Sequence, residues 1–155
     1  MSTRFIEIES GLFVPVDEAD FEILSRYTWR LAPWGRYALR RSSGVTTLMH
    51  RAILGVTRGI FVDHINGDGL DNRRSNLRIA TVTQNCQNRR RRSDARSRFK
   101  GLLFKGGRWI ASIKVNKVYH YLGIFTSEEA AARAYDAAAQ RHFGTFARLN
   151  FQSKE

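Results

Sequence analysis

Short runs of alternating apolar and polar positions dominate the first fifty residues and predict a β-rich segment. Runs at 5–8 and 12–16 flank Ser10 and Gly11, which predicts a hairpin. An acidic start followed by apolar positions at helical spacing predicts a short helix over 17–26. Further strands are predicted at 29–41 and 45–48, with turns at 34–35 and 43–44.

The second half of the chain has a clearer pattern. Three alternating runs predict strands, at 98–104, 109–115 and 118–125. A helix is predicted over 127–142, with Thr126 and Glu129 as a capping box and Gly144 as its terminal glycine. A stripe of small residues would let this helix lie close against the sheet, at Ala130, Ala131, Ala134 and Ala138.

A polar segment with several glycines, at 62–78, separates these two regions. An apolar strand precedes it at 60–62, and a short strand is predicted over 77–80. Thr81 would open a helix, with Gln84 completing a second capping box. The predicted order is therefore strand, polar loop, strand and helix.

Asp63, His64 and Asn85 come from the end of the first strand and from this helix, and can converge on one hard cation. Carboxylate and amide oxygens suit magnesium or manganese, which also bind phosphate oxygens. An EF-hand calcium loop is excluded, because no glutamate occurs between Glu22 and Glu128. Two other interpretations stay open. The segment can be an ordinary turn, or His64 can be a core histidine, since a regular strand points Asp63 and His64 to opposite faces.

The charge of the chain indicates its partner. The 155 residues carry a net charge of +12, and half of it lies in residues 89–100, with seven basic and one acidic side chain. Such a chain favours a polyanion, with nucleic acid the first expectation and an anionic membrane surface the second. No apolar run is long enough to span a bilayer, and the N-terminus has no apolar run typical of a secretory signal. The single cysteine excludes an internal disulfide. We therefore expect a soluble, intracellular protein.

Residues 49–88 resemble the HNH endonuclease family, in the branch found in homing endonucleases. The matching positions are Met49, His50, Arg51, Asp63, His64, Ile65, Asn66, Gly67, Asp71, Asn72, Arg73, Ser75, Asn76, Leu77, Arg78, Gln84 and Asn85. The resemblance implies that His64 is the general base and that Asp63 and Asn85 bind one divalent metal. It implies that Asn76 ties the loop to the strand and orients the histidine. Asn85 stands where the family name has a closing histidine.

Several basic residues are candidates for contacts with the phosphates of DNA. In the nuclease region they are Arg51, Arg73, Arg74 and Arg78, for which simple solvation is the alternative. Arg90, Arg91 and Arg92 belong to the basic run, which can also be a solvated linker. His50 can be structural or functional.

Residues 98–151 resemble the Apetala and ethylene-response-factor type of DNA-binding domain. The resemblance rests on Phe99, Lys100, Gly101, Gly107, Arg108, Trp109, Ala111, Ile113, Tyr121, Leu122, Gly123, Ile124, Phe125, Glu129, Ala130, Ala131, Ala134, Tyr135, Asp136, Ala138, Ala139, Phe143, Gly144, Ala147, Leu149, Asn150 and Phe151. It implies that one sheet face enters the major groove of DNA. Alternation predicts that this face carries Lys100, Lys105, Ser112, Lys114, Tyr119 and Tyr121, although the tyrosines can merely fill the sheet. Lysines, Leu103 and Tyr119 stand where plant members carry arginine, so the plant sequence preference is not implied.

We therefore predict an α+β protein. A β-rich N-terminal part leads into a ββα-metal nuclease core, and a three-stranded antiparallel sheet packed on one helix follows. The predicted domains are a nuclease domain at 1–88, a basic linker at 89–97 and a DNA-binding domain at 98–155.

The predicted function is metal-dependent, site-directed cleavage of double-stranded DNA of the homing type, with magnesium the expected metal and manganese the second choice. We expect a monomer without a membrane partner, in the cytoplasm of a bacterium or a phage-infected cell. The alternatives are a non-catalytic DNA-binding regulator with a vestigial nuclease motif and, as a weaker rival, an RNA-binding structural protein.

Overall fold

The computed structural model describes residues 2–9, 11–89 and 96–151. It confirms the α+β class, with helices and antiparallel sheets in both halves of the chain. The chain divides into two compact units, residues 1–85 and 86–155, and each is described by itself below. The predicted linker at 89–97 falls mostly on residues outside the described part, so the predicted domain limits stay a prediction.

The first unit opens with the predicted hairpin. Strands β1 (Thr3–Glu7) and β2 (Phe13–Asp17) pair antiparallel, with Thr3 opposite Asp17. Helix α1 (Glu18–Leu24) follows directly, so it is shorter than the predicted stretch at 17–26.

A second sheet contains β3 (Arg30–Leu31), β4 (Ala38–Ser42) and β5 (Val45–Leu48), all antiparallel. Ser43 and Gly44 join β4 to β5 with positive φ angles of 48° and 77°. Two positive φ angles in a two-residue loop are typical of a type I′ hairpin, whose twist matches that of the strands.

Helix α2 (Met49–Leu54) was not predicted. Its six residues are too few to show a helical repeat. Gly55 ends it with a φ of 63°, a conformation that favours glycine. The helix carries His50 into the interior of the unit.

The predicted strand, loop, strand and helix of the nuclease region are confirmed. Strands β6 (Phe61–His64) and β7 (Leu77–Ala80) pair antiparallel and lead into helix α3 (Val82–Gln87). The capping box also forms, because Thr81 N donates to Gln84 Oε1 at 2.8 Å and Gln84 N donates to Thr81 Oγ1 at 3.2 Å.

One apolar core links these elements of the first unit. Its largest fully buried side chain is Trp29, which donates from Nε1 to Leu24 O at 2.9 Å. Residues from all parts of the unit pack around it, namely Ile6, Ile8, Val14, Val16, Leu24, Ala38, Met49, Ile53 and Leu77. The N-terminal segment is therefore part of the same core as the nuclease strands.

The second unit is the predicted three-stranded sheet covered by one helix. The sheet contains β8 (Leu102–Lys105), β9 (Arg108–Val115) and β10 (Val118–Phe125), and the helix is α4 (Glu128–Phe143).

Three details of this unit were predicted wrongly. Strand β8 starts four residues later than predicted, because Ser97 and Arg98 bond to Glu128 and Gly101 turns the chain with a φ of 83°. The N-cap is Ser127 and not Thr126, since Ser127 Oγ accepts from Ala130 N at 3.3 Å. The buried face of α4 is only partly the predicted one. Ala131 and Ala138 are buried as predicted, whereas Ala130 is exposed and Ala134 is partly buried. The other buried side chains of the helix are Ala132, Tyr135 and Ala139.

None of the helices in the described ranges is long and apolar enough to cross a membrane.

Candidate nuclease site and DNA-binding surfaces

The proposed metal ligand Asp63 and the proposed base His64 are the last two residues of β6. Asp63 lies opposite Arg78 on β7, and Arg78 donates to Asp63 Oδ2 from Nε at 2.9 Å and from Nη2 at 2.6 Å. Asp63 is 4% exposed, so this is a buried ion pair. The pairing of β6 with β7 stays regular through His64, so the backbone does not depart from strand geometry. The two side chains therefore point to opposite faces of the ribbon.

His64 lies in a group of three rings. Its ring centroid is 5.0 Å from that of His50 and 5.7 Å from that of Tyr37, and His64 is only 5% exposed. Burial lowers the pKa of His64 below its ordinary value of 6.5, while the side chain of Asn72 and the carboxylates of Asp63, Asp68 and Asp71 act in the opposite direction. The imidazole is therefore neutral at pH 7 and able to accept a proton.

His50 is buried beside His64. Burial, and to a smaller degree His64 and Arg51, lower the pKa of His50 to about 3. His50 is consequently a neutral ring at all pH values of physiological interest, and two neutral imidazoles can pack together without repulsion.

The loop between β6 and β7 is held by its own polar side chains. Asn66 Oδ1 accepts from Asp68 N at 2.8 Å, and Asp68 Oδ1 accepts from Leu70 N at 3.0 Å. These are turns closed by Asn and Asp side chains, so the ordinary-turn interpretation explains both residues. Asn76 crosses the loop, since it accepts from Asn66 N at 2.9 Å and donates to Asp71 O at 2.8 Å.

The four arginines predicted to contact phosphates in this unit all have internal acceptors. Arg73 makes two bonds to Asp71, which lower the pKa of that carboxyl. Arg74 makes two bonds to Asp20 and therefore joins the loop to α1. Arg51 donates to Ile60 O at 2.9 Å, and Arg78 pairs with Asp63. Their contacts with DNA stay a prediction. Of the three in ion pairs, Arg78 has the least exposed side chain, at 16% against 42% for Arg73 and 47% for Arg74.

Asn85 lies in α3 and is partly exposed. Its backbone N donates to Thr81 O at 3.0 Å, as expected for the first turn of that helix. No group of three or more His, Cys, Asp or Glu side chains within the described ranges could hold a metal ion by itself.

The second unit has one sheet face covered by α4 and one open face. Cross-strand pairing places Tyr119 opposite Lys114 and Tyr121 opposite Ser112 on the open face, as predicted. The Lys114 ammonium lies 4.9 Å from the centroid of the Tyr119 ring, and both tyrosines are exposed. Lys105 lies on the same face at the end of β8. The tyrosines therefore do not fill a core.

Lys100 was predicted for this face, and the structure does not place it there. Its side chain is partly buried, and Nζ donates to Gln87 O at 2.6 Å. Burial, together with Arg148, lowers its pKa to about 8, and Asp136 opposes the change. Arg90, Arg91 and Arg92 lie outside the described residues.

Two groups of basic residues escaped the sequence analysis. Arg108 lies opposite Lys105 on the open sheet face, which strand alternation from Lys114 could have shown.

In the first unit, residues 23–62 contain seven arginines and no acidic residue. Summing charge over the first sixty residues conceals this, because six acidic side chains lie before residue 23. A groove of about 680 Å³ in this segment is lined by Trp34, Thr46, Arg51, Thr57 and Arg58, among others.

Comparisons with known proteins show the family of the chain. A sequence model of the HNH endonuclease family matches residues 52–87. A protein of Acanthamoeba polyphaga mimivirus, named as an HNH endonuclease, is 33% identical over 146 residues, which cover 90% of this chain and 75% of the viral protein. The chain belongs to the HNH endonuclease family, and it is a DNA-cleaving nuclease.

The C-terminal region is similar to plant DNA-binding domains. An ethylene-responsive transcription factor of Arabidopsis thaliana is 53% identical over 47 residues, which are 29% of this chain and 18% of the plant protein. An AP2/ERF and B3 domain-containing protein of Oryza sativa subsp. japonica is 50% identical over 56 residues, or 36% of this chain and 15% of that protein. These matches support a DNA-binding domain and cover only a small part of each plant protein.

Proposed function

We propose that the chain is a metal-dependent endonuclease of the homing type, which cuts double-stranded DNA at a chosen site. His64 is the general base, and Asp63 and Asn85 are the metal ligands. The observation that carries the proposal is that two consecutive residues at the end of β6, directly before the polar loop, bury a carboxylate and an imidazole on opposite faces of the ribbon. The open sheet face of the second unit would select the DNA site.

The donor set fits a hard divalent cation. Asp63 offers carboxylate oxygens and Asn85 a carboxamide oxygen, which are the ligands that magnesium and manganese prefer. Two protein ligands suffice for magnesium, because this ion usually keeps several waters. When bound, the ion would neutralise charge on the scissile phosphate and on the leaving oxygen.

The residues of the chain have separate tasks in the proposed mechanism. His64 takes the proton of the attacking water, for which the imidazole must be neutral, and burial lowers its pKa further below 6.5. Asn76 holds the loop after β6 through its two bonds and so fixes the position of the His64 backbone. Arg78 holds the Asp63 carboxylate in one orientation through its two bonds.

The open sheet face of the second unit is proposed to enter a groove of DNA. Lys105, Arg108 and Lys114 supply positive charge, and Tyr119 and Tyr121 supply flat surfaces for base or sugar contacts. The arginines at 90–92, and those at 36, 41 and 58 in the first unit, are proposed to follow the phosphate backbone. The viral relative supports a site of action inside an infected cell. We propose that the protein acts as a monomer.

Replacing Lys114 and Tyr121 together by alanine should weaken DNA binding without unfolding the second unit, because both side chains lie on the open face. Removal of the lysine alone should reduce the slope of log affinity against log salt by about 0.9. Affinity is measured on a target and a random duplex over a salt series. Arg141→Ala is the charge-matched control, since Arg141 lies on α4, which covers the opposite face. Equal losses in the double variant and the control would refute a groove contact by this face.

Neutralising Arg90, Arg91 and Arg92 should flatten the salt slope by up to about 3, because each phosphate contact releases condensed counterions. Preference for the target over a random duplex should stay nearly unchanged, since phosphate contacts carry no sequence information. An unchanged slope would show that these three arginines do not contact phosphates and that the run is only a solvated linker. The same measurement on a variant with Arg36, Arg41 and Arg58 neutralised compares the second basic segment with the first.

A further inference from the structure

Three aromatic rings from separate segments meet at the proposed base. Tyr37 precedes β4, His50 lies in α2, and His64 ends β6. The Tyr37 and His50 centroids are 5.1 Å apart with an interplanar angle of 66°. The His50 ring meets the His64 ring edge-on, at 89°, and the Tyr37 ring lies at 36° to it. Such spacings and angles are those at which rings attract one another.

Tyr37 is held in place from behind. A Cβ atom at Gly69 would lie 2.7 Å from Cδ1 and Cε1 of Tyr37 and 2.1 Å from Arg36 O. The loop after β6 therefore packs directly on Tyr37, and only glycine fits at this position. The backbone of Tyr37 is fixed as well, because Ala32 N donates to Tyr37 O at 2.8 Å. Tyr37 thus cannot withdraw from His64 without moving either the loop or the second sheet.

His50 is buried with one of its ring nitrogens unpaired within the described part of the chain. It is 4% exposed, and its Nδ1 atom has no hydrogen-bond partner within the described part of the chain. A buried polar atom without a partner costs free energy, so a purely structural position would favour an apolar side chain. His50 does contact the rings of Tyr37 and His64.

We propose that Tyr37 and His50 are positioning residues, which form a wall that fixes the rotamer of His64. The inference rests on the proposed role of His64 as the general base. Both residues lie before the stretch at 52–87 that matches the family model, so the N-terminal segment completes the active site. Displacing the base by about 1 Å can lower the reaction rate roughly 10²-fold, so loss of the wall should have a measurable effect on cleavage.

Removal of the Tyr37 ring tests the proposal. Tyr37→Ala should lower kcat by roughly 10- to 100-fold at saturating DNA, with KM for DNA unchanged, because the wall contacts the base and not the substrate. Tyr37→Phe retains the ring and should cut at nearly the wild-type rate. Tyr27→Ala is the matched control. It removes the same side chain from the same unit at a position whose ring contact is with Trp29.

The His50 variants test the other half of the wall. His50→Phe keeps a ring of similar size and should retain kcat, whereas His50→Ala should lose it. Circular dichroism identifies variants that remain folded at the assay temperature. If Tyr37→Ala is unfolded, the proposal is tested by comparing kcat of His50→Ala with kcat of His50→Phe.

A double-mutant cycle separates this inference from the function on which it rests. If the wall acts through His64, then Tyr37→Ala should cause no further loss of cleavage in a His64→Ala background. An equal loss in both backgrounds, or a folded Tyr37→Ala variant with wild-type kcat, overturns the wall and leaves His64 as the base. Wild-type cleavage by His64→Ala overturns the proposed function itself, and the wall with it.

Discussion

Replacing His64 by alanine is expected to lower DNA cleavage by roughly 10²–10⁴-fold, the range that a general base contributes. His64→Gln should lose as much, because a carboxamide of similar size has no nitrogen that accepts a proton near neutral pH. Binding of DNA should be nearly unchanged in both variants. The measurement is single-turnover cleavage together with the equilibrium affinity for the same duplex.

The burial of His64 determines how this experiment is controlled. Loss of a ring that packs on Tyr37 and His50 leaves a cavity, so His64→Ala should also unfold at a lower temperature. His64→Gln fills more of that space and should be the more stable variant. If the two variants differ in stability but are equally inactive, the loss belongs to the chemistry. Wild-type cleavage by a folded variant of either kind would exclude His64 as the base.

Replacing Asp63 by alanine should have two effects, which the ion pair with Arg78 makes separable. The metal would lose a ligand, so cleavage should fall to the level seen in excess EDTA. Arg78 would also lose its buried partner, which costs about 3–5 kcal/mol of unfolding free energy when one member of such a pair is removed.

A double variant distinguishes these two effects. Asp63→Ala combined with Arg78→Met removes both charges, and replacement of a buried pair by apolar groups is often neutral for stability. We expect this double variant to regain much of the unfolding free energy, as measured by urea denaturation, and to stay inactive. Wild-type cleavage by the double variant would mean that Asp63 serves only as the partner of Arg78.

The elements around the site could be predicted because their signals are local. The strands at 77–80 and 118–125 and the capping box of Thr81 and Gln84 follow from alternation and from fixed spacings. Helix α2 could not be predicted, because six residues show no repeat, and its place in the core depends on distant contacts. The N-cap was predicted at Thr126 for a different reason. Ser127 has the same hydroxyl chemistry one residue later, and the sequence does not distinguish the two.

The site was predictable in its residue types and not in its surroundings. The motif names Asp63 and His64, but nothing local shows that Tyr37 lies against the histidine. The arginines illustrate the same limit. Arg73 and Arg74 read as free cations in the sequence, whereas their partners Asp71 and Asp20 become visible only when the chain is folded. The prediction that Lys100 lies on the open sheet face was wrong for the same reason. The acceptor of its ammonium, Gln87 O, is thirteen residues away in the sequence.

The rival interpretation, a DNA-binding regulator with a vestigial nuclease motif, predicts binding without cleavage. Membership of the HNH endonuclease family, with both Asp63 and His64 present in the chain, favours the nuclease. Membership of the HNH endonuclease family equally disfavours an RNA-binding structural protein.

Cleavage of supercoiled plasmid DNA that contains the target site tests the central claim most directly. Wild type and His64→Gln are compared in magnesium, and wild type is also incubated with excess EDTA. The expected result is conversion to nicked or linear DNA by wild type in magnesium alone. Cleavage by wild type in EDTA, or by folded His64→Gln at the wild-type rate, would contradict it.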